Sequence, residues 1–364
     1  MESVPILELK GQGLALGRAH GEALRDKITE FVETAHRVHL ENVGLKIERE
    51  DLLTLSQRNL GFFKNYSPIL FEELEGIAQG SNRSLIDIIL INSFLELEDL
   101  RAPALGPRLR SDRLWGCTSF NVKAKAASDG PIIGQTYDME AYYARFNAVL
   151  KITKLSGQKQ IIYTLAGILG LNGLNSDGLA LVINKLVARD ARPGVIYPFV
   201  VRKALDQQRI GDAFGAVAFC GRATAMNYQL NCADSVAFCL ETTATRFAQL
   251  DFSHSLAHSN HFLHPDLKPL EESGWLSHGG SYVRLQVAQE ILDQYKGRLD
   301  SQILKTLCRN HVNRPRSICA HGYPDEPDYF SYASISAVII EPSKALMHFC
   351  GAYPCQNEFQ TITI

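Results

Sequence analysis

The chain has 364 residues, 46% of them hydrophobic and 21% charged, with a formal net charge of −2. That length and apolar content suffice for a large core, and the near-neutral charge leaves no bulk electrostatic case for nucleic acid or an anionic membrane as partner. No apolar run approaches the roughly 20 residues of a membrane-spanning helix, and Met1 to Gly13 carry no basic stretch followed by an apolar core, so no signal peptide is expected and the default address is cytoplasmic.

In chain order, residues 17–97 read as helices. Leu24, Ile28, Phe31, Val32, Ala35, Val38 and His39 recur at helical spacing. Asp51 is a candidate cap for a helix through Leu52, Leu55 and Leu60, and Ser67-Pro68 starts another with Leu70, Leu74, Ile77 and Ala78 on one face. Ser84 with Asp87 resembles a capping box before Leu85, Ile88, Ile89 and Ile91. The segment 101–113 holds two prolines, a glycine and four arginines without periodicity, and reads as an exposed linker.

After Cys117 the pattern turns to short β-prone runs at 118–122, 132–137, 149–153, 160–165 and 178–183. Helical stretches follow near 196–209 and 211–220, strands near 225–230 and 235–241, helices over 281–295 and 301–310, and strands near 331–340 and 345–349. Strands flanked by helices with hairpin-length turns predict a mostly antiparallel α+β layered sandwich.

Eight cysteines show no Cys-x-x-Cys spacing, and a chain of this size needs no disulfide staples, so most are expected reduced, buried and inert. Cys117 differs by context. It follows Gly116 at the boundary between the helical and the strand-rich parts, where a self-cleaving N-terminal-nucleophile enzyme would cut. A cut there makes Cys117 an N-terminus that carries both a thiol and its own base, since an α-amine has a pKa of about 7.7–8.0. The thiolate is the nucleophile, and an acyl-enzyme divides amide cleavage into two easier steps. Gly116 lets the preceding carbonyl approach the thiol. Asp138, closing the run from Ile132, stands ready to bond the new amine; it could equally cap a turn before Met139-Glu140. Acyl transfer also needs donors aimed at the oxyanion, and the Asn-rich segments 170–178 and 258–262 offer Asn175 and Asn260. The first of these also fits a simple hairpin turn. Tyr142, Tyr143 and Phe146 either line an acyl pocket or pack as ordinary aromatics.

Taken in order, several segments resemble the acyl-coenzyme A:6-aminopenicillanate acyltransferase family of Ntn hydrolases. Gly17-Arg18-Ala19-His20-Gly21-Glu22 resembles its early Gly-x-x-His-Gly, and Glu73 to Gly80 its helix preceding Asn92 and Glu96. Gly116-Cys117-Thr118 matches the processing site, and Gly134-Gln135-Thr136-Tyr137-Asp138 resembles Gly-Gln-Asn-Trp-Asp. Asn175-Ser176-Asp177-Gly178-Leu179 and Ser259-Asn260-His261-Phe262 resemble the Asn-rich loops, and Arg314 to Cys319 the late Pro-x-Ser-Ile-Cys. Choloylglycine hydrolases and penicillin V acylases share the plan more distantly.

The resemblance implies a four-layer αββα sandwich of antiparallel sheets with a helical N-terminal segment. It implies self-cleavage between Gly116 and Cys117 into chains 1–116 and 117–364 that stay associated as one compact unit, with a homo-oligomer left open. Cys117 is then nucleophile and base, Asp138 orients its amine, Asn260 stabilises the oxyanion and Asn175 adds a polar contact. Thr118, Gln135, Tyr137, Tyr142 and His261 are assigned to substrate contact. The expected substrate is a small acyl amide or acyl thioester, with no cofactor, no metal and no nucleic-acid or membrane partner. Two departures stand out: residues 330–334 hold no arginine where the family carries a Ser-Arg pair, and Tyr137 replaces a tryptophan. The reaction class is carried over and the β-lactam substrate is not.

Amide hydrolysis is the favoured reading and acyl transfer the alternative. Two rivals remain. His254, His258, His261 and His264 would suit zinc if their segment were helical, although the Ser-Asn and His-Pro steps argue for loop and strand. An uncut, non-catalytic relative is the other, with the helical part as a partner-binding module.

Overall fold

The computed structural model describes residues 3–35, 49–97, 99, 116–272, 279–322 and 331–364. The segment read as a linker, and the positions Val38, His39, Trp115 and Phe330, lie outside them.

The described N-terminal residues include strand β1 (Ile6–Lys10) and helices α1 (Gly13–Ala23), α2 (Arg25–Ala35), α3 (Arg49–Tyr66), α4 (Pro68–Ser81) and α5 (Leu85–Asn92). Helix α3 is described from Arg49, and Asp51, the candidate cap, lies within it. Ser84 does cap α5, accepting the Asp87 N–H at 3.2 Å. The glycines that punctuate α1 and α4 are packing devices. A Cβ at Gly17 would lie 1.9 Å from the Glu73 carbonyl oxygen, and one at Gly76 2.2 Å from that of Leu14. The two helix backbones touch there, and only glycine permits it. His20, between these glycines, is buried and accepts the Gly167 N–H at 3.2 Å. Burial, then Arg202, hold its pKa down to about 3, so it acts as a neutral acceptor tying α1 to the sheet.

From Gly116 onward the chain builds two sheets. The remaining strands are β2 (Gly116–Val122), β3 (Ile132–Glu140), β4 (Asn147–Thr153), β5 (Lys159–Leu165), β6 (Asn172–Asn175), β7 (Leu179–Lys185), β8 (Met226–Cys232), β9 (Ala237–Thr242), β10 (Phe247–Gln249), β11 (Ser255–His258), β12 (Tyr332–Glu341), β13 (Leu346–Gly351) and β14 (Gln360–Thr363). An eight-stranded sheet runs β1-β4-β5-β6-β7-β8-β9-β10, and a six-stranded sheet β11-β2-β3-β12-β13-β14. All pairings are antiparallel except β1 with β4. Helices α1–α5, α6 (Tyr197–Leu205) and α7 (Ile210–Ala218) flank the large sheet, and α8 (Gly280–Gln294) and α9 (Ser301–Cys308) cover the small one. This is the four-layer αββα sandwich. Among the described residues no helix is long and apolar enough to cross a membrane.

Strand alternation assigns the faces of β2 and β3. Phe120 and Val122 pack under α8 and α9 with Ala288, Leu292 and Leu304. Cys117, Ser119 and Asn121 point the other way, at the large sheet. The space between the sheets is partly polar. Ser119 bonds Asn184 and receives Gln229 Nε2, Asn231 Nδ2 donates to Asn121 Oδ1 at 2.7 Å, and Ile183 N donates to Gln135 Oε1 at 2.8 Å. Buried amides bonded across two sheets fix their relative register more narrowly than apolar contact alone.

Candidate active site

Gly116 is the first residue of β2, and the β2–β3 register sets Gly116 opposite Asp138 and Cys117 opposite Tyr137. The Cys117 sulfur faces the space between the sheets, while the Asp138 carboxyl lies on the other face, beside Gly116 and under α8. An added Cβ on Gly116 would sit 3.1 Å from Asp138 Oδ2 and 1.5 Å from the Tyr332 hydroxyl oxygen.

Asp138 is fully buried. Ser334 donates to its Oδ1 at 2.6 Å and Tyr332 to its Oδ2 at 3.4 Å. A register shift in β12 between Ser334 and Ser336 creates this arrangement. In the phase of Val338 and Ile340, which face the large sheet, Ser334 would point away from Asp138; the bulge turns it back. Burial raises the Asp138 pKa to about 7 against the opposing pull of Arg284, Ser334 and Tyr332. Burial and then the Asp138 carboxylate push the Cys117 thiol up to about 12, although the backbone N–H of Asp138, the Arg284 guanidinium and the backbone N–H of Lys185 act in the opposite sense.

Asn260 joins the site from the loop after β11. Its Oδ1 accepts the Cys117 N–H at 2.9 Å and Arg284 Nη2 at 2.8 Å, and its Nδ2 donates to the Lys185 carbonyl at 3.0 Å. Two donors on one oxygen fix the amide orientation. Arg284 Nη1 also donates to the Cys117 carbonyl at 2.7 Å and to Thr118 Oγ1 at 3.0 Å. Ser281, one turn earlier on α8, holds the same loop: its hydroxyl receives the Asn260 N–H at 2.9 Å and lies 2.8 Å from His261 Nδ1.

The predicted site residues divide accordingly. Cys117, Thr118, Asp138 and Asn260 come together, with Tyr137 alongside Cys117 in register. His261 packs against the Asn260 loop with its ring 4.0 Å from that of Tyr282, and burial followed by His258 holds its pKa down to about 4. Gln135 bridges the sheets, and the Tyr142 ring packs at a tilt against Tyr143, with centroids 4.1 Å apart. Asn175 goes elsewhere. Its Nδ2 donates to the Leu205 and Gln207 carbonyls, both at 2.8 Å, and its Oδ1 accepts from Asp177 N and Leu179 N, both at 3.0 Å. Those four bonds fill its side chain with loop-holding work.

Arg284, Ser281, Tyr332 and Ser334 were not legible as site residues. Ser281, Arg284, Ala288 and Leu292 share the buried stripe of α8, and a serine and an arginine on an otherwise apolar stripe are the signal in hindsight. Residues 330–334 hold no arginine, and the guanidinium at Cys117 is that of Arg284 on α8. The histidine-rich segment is strand β11 and irregular chain, so helical spacing does not apply. His258 Nε2 bonds Glu241 at 2.8 Å and its Nδ1 the Ser259 carbonyl at 2.9 Å, leaving neither nitrogen directed at a shared centre.

The model of the family described as acyl-coenzyme A:6-aminopenicillanic acid acyl-transferase matches residues 125–352. The chain belongs to that family. The acyl-coenzyme A:6-aminopenicillanic-acid-acyltransferase 40 kDa form of Emericella nidulans is 26% identical over 322 residues, covering 85% of this chain and 83% of the relative. Solved structures with a similar chain course include the Caenorhabditis elegans N-acylethanolamine-hydrolyzing acid amidase ortholog, at 12% identity and a TM-score of 0.43, covering 68% of this chain and 100% of that one. A mutant conjugated bile acid hydrolase from Clostridium perfringens is similar at 11% identity and a TM-score of 0.44, covering 68% of this chain and 97% of that one. The family is named for acyl transfer, and this chain is an enzyme of that family.

Proposed function

We propose that the chain cuts itself between Gly116 and Cys117 and then cleaves a linear N-acyl amide through a thioester on Cys117. The observation that carries this reading is the clamp on Cys117, whose N–H is held by Asn260 Oδ1 and whose carbonyl is held by Arg284, with Asp138 beside the preceding Gly116. In self-cleavage the Cys117 sulfur attacks the Gly116 carbonyl. The C–N bond breaks, the nitrogen takes up a proton to become the α-amine, and water hydrolyses the thioester to leave a carboxylate on Gly116. The new amine then lies between Asn260 Oδ1 and the Asp138 carboxyl, both suited to an ammonium.

In turnover, a thiol of ordinary pKa, about 8.5, is mostly protonated at neutral pH, so its proton must leave as the sulfur attacks. The α-amine is matched to that task. It takes the thiol proton, gives it to the departing amine of the substrate, accepts one from the water that releases the acid, and returns it to the Cys117 sulfur as the thioester C–S bond breaks. Asn260 would serve the oxyanion through its amide N–H, and Tyr137 and His261 would line the entry.

Acyl transfer is the second reading, favoured by the name of the family matched. The same thioester is then discharged to an amine in place of water, and exclusion of water decides between them. Intact mass under denaturing conditions tests the first step: two species, one ending at Gly116 and one beginning at Cys117, are expected, and a single uncut chain from active protein overturns it. An acyl amide supplied with and without a second amine tests the second: free acid in both cases supports hydrolysis, and a new amide supports transfer.

A further inference from the structure

Four metal-ligating side chains that the acyl chemistry does not use meet beneath the Asp138 strand. They are His311 and His321 from the loop after α9, Cys319 from the same loop, and Cys355 from the turn after β13. One ligand atom from each lies within 4.8 Å of the other three. His321 Nε2 is 3.1 Å from His311 Nε2, 3.5 Å from Cys319 Sγ and 3.3 Å from Cys355 Sγ. A neutral imidazole nitrogen has one proton or one lone pair, so it cannot satisfy three such neighbours by hydrogen bonding. A cation at the centre of the four satisfies all of them. Zn–N bonds of 2.0–2.1 Å and Zn–S bonds of 2.3 Å at tetrahedral angles give edges of about 3.3 Å between nitrogens and about 3.6 Å between nitrogen and sulfur. The three edges that meet at His321 Nε2 are close to those of such a tetrahedron, and the other ligand-atom pairs all lie within 4.8 Å.

We propose that His311, Cys319, His321 and Cys355 form a closed, four-coordinate structural zinc site. Two thiolates and two imidazoles suit this borderline-soft ion, and binding would release the two thiol protons. The surrounding chain is built to present the ligands. Cys319 N donates to the Asn310 carbonyl at 3.0 Å, His321 N to the Pro315 carbonyl at 2.9 Å, and the His321 ring stacks on Tyr353 at 4.5 Å with the planes 1° apart. The zinc would tie the loop after α9 to the turn after β13. Between the ligands Cys319 and His321, Ala320 N donates to Ser334 Oγ at 2.9 Å, and Ser334 in turn donates to Asp138. The ion would thus brace the hydroxyl that positions Asp138, without touching substrate.

The test is metal analysis of the purified full-length chain after dialysis against metal-free buffer. About one zinc per chain is expected, retained in Cys220→Ser and lost in Cys319→Ser and in Cys355→Ser. Because these variants could unfold, the wild-type protein supplies independent readouts. Zinc should shield Cys319 and Cys355 from alkylation, as mapped on peptides, and stripping it should expose both. Cobalt replacing zinc should give the intense visible bands of a tetrahedral thiolate complex. Reduced wild-type protein that takes up neither ion overturns the proposal. So does a native Cys319–Cys355 disulfide, or zinc that leaves both cysteines open to alkylation.

Discussion

Arg284 Nη2 donates to Asn260 Oδ1 at 2.8 Å, onto the same oxygen that receives the Cys117 N–H at 2.9 Å. The guanidinium also reaches the Cys117 carbonyl, so Arg284, Asn260 and the Cys117 backbone close a ring. Helix α8 thereby grips both sides of the residue proposed as nucleophile. Substituting Arg284 with Met keeps the apolar stem and removes the fork. The expected result is a folded protein less stable by about 1.5–3 kcal/mol, the range for hydrogen bonds to charged groups, with self-cleavage slowed. Arg284→Lys should recover only part of the loss, because one ammonium cannot hold three acceptors in the plane of a guanidinium. Thermal unfolding and the time course of the two-chain product measure both effects. Equal cleavage rates in all three proteins would remove Arg284 from the clamp.

Asn260→Ala removes the acceptor for the Cys117 N–H together with the amide donor proposed for the oxyanion. It should fold and should lower kcat by roughly 10²–10³, the loss typical of one oxyanion donor. Processed protein with an unchanged kcat would leave Asn260 a purely structural role. Cys117→Ala should abolish both cleavage and turnover; amide turnover by that variant would sink the mechanism.

The Asp138 pKa gives a signed pH prediction for the uncut chain. Burial raises it from 3.8 to about 7, so between those values the folded state holds a proton that the unfolded state has lost. Stability therefore falls as pH rises from about 4 to about 7 and is level above that, with respect to this group. Glu96, also raised by burial to about 7, contributes in the same direction. The comparison is thus Cys117→Ala against Cys117→Ala with Asp138→Asn: chemical denaturation from pH 5 to pH 8 should show a shallower decline in the second. Parallel curves would mean that Asp138 is ionised in the folded chain at pH 5.

Much of this architecture can be read from the sequence because burial patterns repeat locally. Nearly every strand predicted after Cys117 is present within a few residues, and the helices over 281–295 and 301–310 appear as α8 and α9. Strands β1, β10, β11 and β14 escape notice because three to five residues carry too little alternation to register. The 170–178 segment, read as a turn, contains the short strand β6. In the site, Cys117, Asp138 and Asn260 stand out through the Gly-Cys junction and the Asn-rich loop. Arg284 and Ser334 do not, because their roles depend on long-range placement: a helix packed 167 residues downstream of Cys117 and a bulge that reverses strand phase. The histidines at 254–264 do not converge, whereas His311, Cys319, His321 and Cys355, which do, come from two loops with no local spacing signal.

Gly116 offers a test of how tightly the bond proposed to be cut is held. A methyl group there would stand 1.5 Å from the Tyr332 hydroxyl oxygen and 2.8 Å from its Cζ, so the ring must move and loosen its bond to Asp138. In the Cys117→Ala background, where cleavage cannot intervene, Gly116→Ala should destabilise the chain by about 1–3 kcal/mol, as overpacking does. Tyr332→Phe alone loses one weak bond of 3.4 Å and should have a small effect. Combined, the two should be less harmful than their sum, since removing the hydroxyl relieves the shortest contact while the 2.8 Å approach to Cζ persists. In the cleavable protein the same order should appear in the rate of self-cleavage, slowest for Gly116→Ala and partly restored in the double variant. Strictly additive effects would show that Tyr332 yields freely and that the glycine is required for the chain conformation at the cut itself.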